Sequence, residues 1–139
     1  MYIGVDLGGT NIAVGIVNEE GKIIVQDSTP TKSERHYSEI VKDMADLCLK
    51  LIDKAGLKVS DIKAIGIGSP GSVDNKNGVV VYANNIKMDN VPIADELRKY
   101  IDVPVSVEND ANAAAFGEYA INGGDCENFV FITLGTGVK

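Results

Sequence analysis

Tyr2-Ile3-Gly4-Val5-Asp6-Leu7-Gly8-Gly9-Thr10-Asn11 is the stretch around which the chain is arranged. Ile3 and Val5 are β-branched residues on one side of a period-2 pattern, so a strand is predicted up to Asp6. A carboxylate then stands at the mouth of that strand. Gly8 and Gly9 have no Cβ, tolerate positive φ, and let backbone N–H groups approach a phosphate closely, with the short polar Thr10 and Asn11 beside them. Ile12 to Val17 alternates again, which makes the unit a hairpin. Both the P-loop and the Rossmann arrangement need a helix directly after the glycines, so both are excluded. Taken alone, the stretch also fits an ordinary hairpin whose Asp caps a turn.

The hairpin extends through the turn Asn18-Glu19-Glu20-Gly21 to a third strand, Lys22 to Ser28, ended by Pro30. Ser33 is the expected cap of the next helix. Its buried face is Tyr37, Ile40, Val41, Met44, Leu47, Cys48, Leu51, Ile52 and Ala55, spaced by threes and fours, and Gly56 provides the left-handed end. A short apolar strand, Ile62 to Ile67, follows this crossover and is expected to lie parallel to a neighbour. It runs into Gly66-Ile67-Gly68-Ser69-Pro70-Gly71, a loop at a strand's C-terminal end, where open α/β sheets hold their ligands.

Asp74 to Gly78 reads as a turn, Val79 to Tyr82 as a brief strand, and Asn84-Asn85 as an interruption. Pro92 is placed in the first turn of a short helix that turns Ile93, Leu97 and Ile101 inward. Val103 to Val107 is a further strand delivering Glu108-Asn109-Asp110, and Ala111 to Ala120 continues as a helix. Phe129 to Leu134 with Gly135-Thr136-Gly137 repeats the opening order of apolar strand and Gly/Thr turn. This suggests an internal duplication, with one domain over 1–127 and the start of a second over 128–139.

Composition narrows the partners. A chain of 139 residues with 45% apolar and 24% charged residues can bury a core, which argues against disorder. The net charge of −7 without a basic cluster argues against nucleic-acid binding. No apolar run approaches the roughly 20 residues of a bilayer span, so no membrane partner is expected. Cys48 and Cys126 stand far apart with no Cys-x-x-Cys pair, which indicates neither a disulfide framework nor a zinc knuckle. With no signal-peptide pattern at the start, a cytoplasmic setting is the expectation.

Four loops then occur in the order of one family. Asp6-Leu7-Gly8-Gly9-Thr10, Gly66-Ile67-Gly68-Ser69-Pro70-Gly71, Glu108-Asn109-Asp110-Ala111-Asn112-Ala113-Ala114 and Thr133-Leu134-Gly135-Thr136-Gly137 together resemble the N-terminal half of a ROK-family sugar kinase of the bacterial glucokinase kind. That family lies within the actin-like ATPase superfamily. The resemblance implies an α/β fold of the actin-like, ribonuclease H-like type: a mixed five-stranded sheet with flanking helices, plus the first strand of a second domain.

It also implies a reaction, the ATP-dependent phosphorylation of a hexose hydroxyl. By resemblance Asp110 is the base, while Gly71, Asn85, Asn109 and Asp110 bind the sugar, glucose or a close relative. Gly8, Gly9, Thr10 and Asn11 in one domain and Gly135, Thr136 and Gly137 in the other would clamp the ATP phosphates. Asp6 would orient Mg²⁺ through water, as suits an ion that keeps much of its hydration shell. The run Asn85-Ile86-Lys87-Met88-Asp89-Asn90-Val91-Pro92 departs from the family's Asn-Leu-Gly-Trp-x-Asn-Val-Pro in Lys87 and Met88, so the exact hexose stays open. His36 reads as a solvated residue at a helix start, and the residues present offer no structural zinc site. A homodimer or larger homo-oligomer is expected, because Phe129 to Leu134 would be an apolar strand with open edges. Two other readings stay open: a noncatalytic sugar-sensing ROK protein, and a self-associating half-domain without chemistry.

Overall fold

Residues 1–84 and 86–109 are described by a computed structural model. Apolar side chains set at alternate positions start the first strands. In β1 (Tyr2–Leu7), Ile3, Val5 and Leu7 are buried, and β2 (Asn11–Val17) pairs with it antiparallel, with Ile3 opposite Ile16 and Asp6 opposite Ala13. β3 (Ile23–Pro30) extends the meander, with a register irregularity at Ile16/Val17.

The helix α1 (Tyr37–Lys54) crosses over, burying Ile40, Val41, Met44, Leu47, Cys48, Leu51 and Ile52. Burying an aliphatic side chain of this size stabilises by about 1.5–3 kcal/mol. Cys48 is an inert part of that stripe, its thiol pushed up to about 12 by burial. The helix stops in a Schellman motif: Gly56 N–H donates to Asp53 O (3.0 Å) and Leu57 N–H to Ile52 O (2.9 Å), with Gly56 at φ +72°. Its N-cap is His36, and this corrects the expected Ser33. Arg35 N–H closes a turn onto Lys32 O, so the chain is still turning at Ser33, and the His36 ring accepts from Ser38 N–H at 3.2 Å. His36 is thus the exposed helix-start residue that the sequence suggests.

The crossover returns to β4 (Ala64–Ser69), parallel to β1 with Ile3 opposite Ile65, and β8 (Val105–Asn109) lies parallel to β4 with Ile65 opposite Val105. Strand order is β3-β2-β1-β4-β8, the expected five-stranded mixed sheet. Strand boundaries shift from expectation, β3 running on through Thr29 and Pro30. A 3-10 turn at Val59–Asp61 delays β4, and a tight turn from Val103 N–H to Ile101 O delays β8, which then runs on through Glu108 and Asn109.

A second, three-stranded sheet has order β5-β6-β7, from β5 (Ser72–Asp74), β6 (Val79–Ala83) and β7 (Met88–Val91). The sequence reading finds only β6, because three- and four-residue strands containing Asp74, Asp89 and Asn90 have too few β-branched residues to show a period. The helix α2 (Ile93–Arg98) buries Ile93 and Leu97, with Ile101 also buried just after it. Pro92 is its N-cap and not a member of the first turn, since its carbonyl accepts from Glu96 N–H. The expected helix from Ala111, the strand from Phe129 and the domain boundary at 128 lie outside the described residues.

Candidate active site

Three parallel strands end at one edge of the sheet. β1 leads into the Gly8–Asn11 turn, β4 into Pro70-Gly71, and β8 ends on Asn109. In register, Asp6 lies level with Gly68, and Gly68 with Glu108, so the two acidic residues share a face with only a glycine between them. Two strand spacings put their Cα atoms about 10 Å apart.

The Gly8–Asn11 turn is tightly closed, with Gly8 N–H donating to Asn11 O at 2.9 Å. A Cβ at Gly8 would come within 2.8 Å of that same oxygen, so the close approach requires glycine here. Behind the turn stands a residue that sequence reasoning does not find. Thr31 is fully buried, donating from its hydroxyl to Gly8 O (2.7 Å) and from its N–H to Thr10 O (2.8 Å). The signal for it is faint, a single Thr after Pro30 in a segment that otherwise reads as connection.

On the sugar side of the expected site, Asn109 Nδ2 donates to Gly71 O at 2.6 Å, which joins two residues expected to share a ligand. Gly71 has φ +83°, and a Cβ there would fall 2.0 Å from Tyr82 O. The loop after β4 thus presses directly on the backbone of β6. Glu108 is buried beneath. Its Oε1 accepts from Asn109 N–H (3.0 Å) and its Oε2 from Asn75 Nδ2 (2.9 Å) in the β5–β6 connection, so one carboxylate ties the second sheet to the end of β8. The sequence reading includes Glu108 in a motif but gives it no role.

Asp6, Gly8, Gly9, Thr10, Asn11, Gly71 and Asn109 thus gather at one edge. Asn85, Asp110, Gly135, Thr136 and Gly137 lie outside the described residues, Asp110 being next in the chain after Asn109. Among the described residues no group of three or more His, Cys, Asp or Glu side chains is placed to hold a metal. Nor is any described helix long and apolar enough to cross a membrane.

A mixed β3-β2-β1-β4-β8 sheet with a glycine-rich hairpin turn at the C-terminal end of its parallel strands defines the class: an actin-like ATPase fold. The chain belongs to the ROK family, whose pattern it matches over residues 2–138. It is 40% identical over 138 residues to a glucokinase of Thermotoga maritima, covering 98% of this chain and 42% of that protein. A ROK family glucokinase from Streptomyces griseus, solved in complex with glucose and AMPPNP, superposes with a TM-score of 0.77 at 39% identity, over 89% of this chain and 38% of the other. A xylose repressor of Caldicellulosiruptor bescii is 31% identical, over 98% of this chain and 34% of its own length. The chain therefore spans well under half the length of these relatives.

Proposed function

We propose that these residues are the N-terminal half of an ATP-dependent hexose kinase, with glucose or a close relative as the phosphoryl acceptor. The observation that carries the reading is the meeting, at one sheet edge, of a glycine turn suited to phosphate and the bonded pair Gly71–Asn109 suited to a polyol. The likeness to a glucokinase solved with glucose and a nucleotide supports both halves of it.

Phosphoryl transfer asks the protein mainly to position the acceptor and to compensate charge. In this reading Asn109 holds sugar hydroxyls, its amide oriented by Gly71 O, and Asn85 contributes a second amide. Asp110 takes the proton of the attacking hydroxyl, a task for a carboxylate within hydrogen-bond reach. Gly8, Gly9, Thr10 and Asn11 receive the nucleotide phosphates, and Gly135, Thr136 and Gly137 oppose them from a second domain beginning at about residue 128.

The residues fit a magnesium–nucleotide. Asp6 is half-buried two residues before Gly8, and one carboxylate beside a phosphate turn suits an ion that takes its other ligands from water and phosphate. When bound, such an ion supplies charge compensation on the phosphoryl oxygens. Hexose-dependent ADP release by the complete protein tests the proposal. Nucleotide-independent sugar binding without turnover would instead favour a sugar-sensing protein, the reading that the repressor relative supports.

A further inference from the structure

We propose that Thr31 is a positioning residue for the nucleotide-phosphate turn, and that Arg35 and Asp43 hold it in place. The proposal rests on the kinase reading for what the turn receives. The geometry itself stands independently.

Thr31 follows β3 and has no exposed surface, yet both its donors are used on the Gly8–Asn11 turn. Packing alone would be served by a valine of nearly the same shape. The two bonds instead fix two peptide planes. Described peptides are all trans, so each N–H lies on the side opposite to the carbonyl of its own plane. With Gly8 O turned onto the Thr31 hydroxyl, the N–H of Gly9 faces away from Thr31. With Thr10 O turned onto the Thr31 N–H, the N–H of Asn11 does the same. Left to themselves, two successive glycines would sample many orientations of these planes. Thr31 selects one, in which the carbonyls are occupied at the back and backbone donors project from the opposite side, the polarity that an anion requires.

Thr31 is held in turn from α1. Arg35 Nη2 donates to Thr31 O at 2.8 Å and to Asp43 Oδ2 at 2.7 Å, while its Nε donates to Lys32 O at 3.3 Å. Lys32 is left-handed at φ +51°, a conformation uncommon for a residue with a side chain, and the Arg35 bonds brace the chain on either side of it. The Arg35 and Asp43 side chains are only 21% and 36% exposed, so water competes less for this pair than for a fully exposed one. Asp43, Arg35, Thr31 and the turn carbonyls thus form one continuous hydrogen-bonded chain from helix to turn.

The test is steady-state kinetics of the complete protein with ATP and glucose, comparing Thr31→Val, Thr31→Ser and Arg35→Met, with thermal melts to verify folding. Thr31→Val is expected to raise the KM for ATP about tenfold, the scale of one lost positioning hydrogen bond, and to leave the KM for glucose unchanged. Thr31→Ser keeps the hydroxyl and should stay within about twofold of wild type, while Arg35→Met should raise the ATP KM about threefold, the scale of a partly exposed contact. If Thr31→Val does not fold, Arg35→Met carries the test. Wild-type ATP KM in the folded variants, parallel rises for ATP and glucose, or Thr31→Ser behaving like Thr31→Val would each overturn the proposal. A wild-type protein without ATP-dependent turnover would overturn the kinase reading itself, a result distinct from normal turnover that Thr31 does not affect.

Discussion

Gly56 and Gly71 have nearly the same left-handed backbone, φ +72° and +83°, but different surroundings. A Cβ at Gly56 meets nothing within 4 Å, whereas at Gly71 it would fall 2.0 Å from Tyr82 O and 2.8 Å from Ala83 Cα. Gly56→Ala should therefore cost only backbone strain, about 1 kcal/mol. Gly71→Ala must also displace β6 and should cost about 3 kcal/mol or more. Urea unfolding of the two variants checks the contrast, and equal losses would contradict the packing described. Both glycines stand out in the sequence, one as a helix end and one as a loop residue. Their difference does not, because it depends on β6 arriving beneath Gly71 from eleven residues further on.

Elements with a strong period were legible, and elements made by long-range contacts were not. The apolar stripe of α1 and the alternation in β1 and β2 announce themselves, and the crossover through α1 requires β4 to be parallel to a neighbour. In contrast, β5 and β7 exist because β6 pairs with both, and Thr31 matters because the turn across the sheet edge needs a partner. Glu108 has the same character, joining the second sheet to β8 through Asn75 and Asn109. Glu108→Leu removes both accepting oxygens from the donors on Asn75 and Asn109. A loss of about 1–3 kcal/mol is expected, the usual cost of an unsatisfied buried group. Thermal or urea denaturation will show it. Unchanged stability would mean that the tie between the sheets is incidental.

At the scale of the molecule, the residues expected to carry the reaction divide between the described edge and positions beyond it. Asp6, the Gly8–Asn11 turn, Gly71 and Asn109 are gathered by three strand ends, whereas the roles proposed for Asp110 and residues 135–137 rest on the family resemblance. Because the chain spans 42% of the T. maritima glucokinase, we propose that its 139 residues alone do not turn over sugar and that they self-associate through the apolar segment 129–134. Light scattering should give a mass of two chains or more at about 100 μM, within the μM–mM range in which exposed apolar segments associate. A clean monomer would remove that idea.

We propose that the edge built by β1, β4 and β8 serves a kinase whose base is Asp110. Replacing Asp110 by Asn keeps the size of the side chain and removes the proton acceptor. In a coupled assay of ADP release by the complete protein with glucose, ATP and Mg²⁺, we expect wild-type turnover and a kcat lowered by about 10² or more in Asp110→Asn, the scale of general-base catalysis. An Asp110→Asn protein with undiminished kcat would remove Asp110 as the base, and a wild type with no glucose-dependent ADP release would show that the protein is not a glucose kinase.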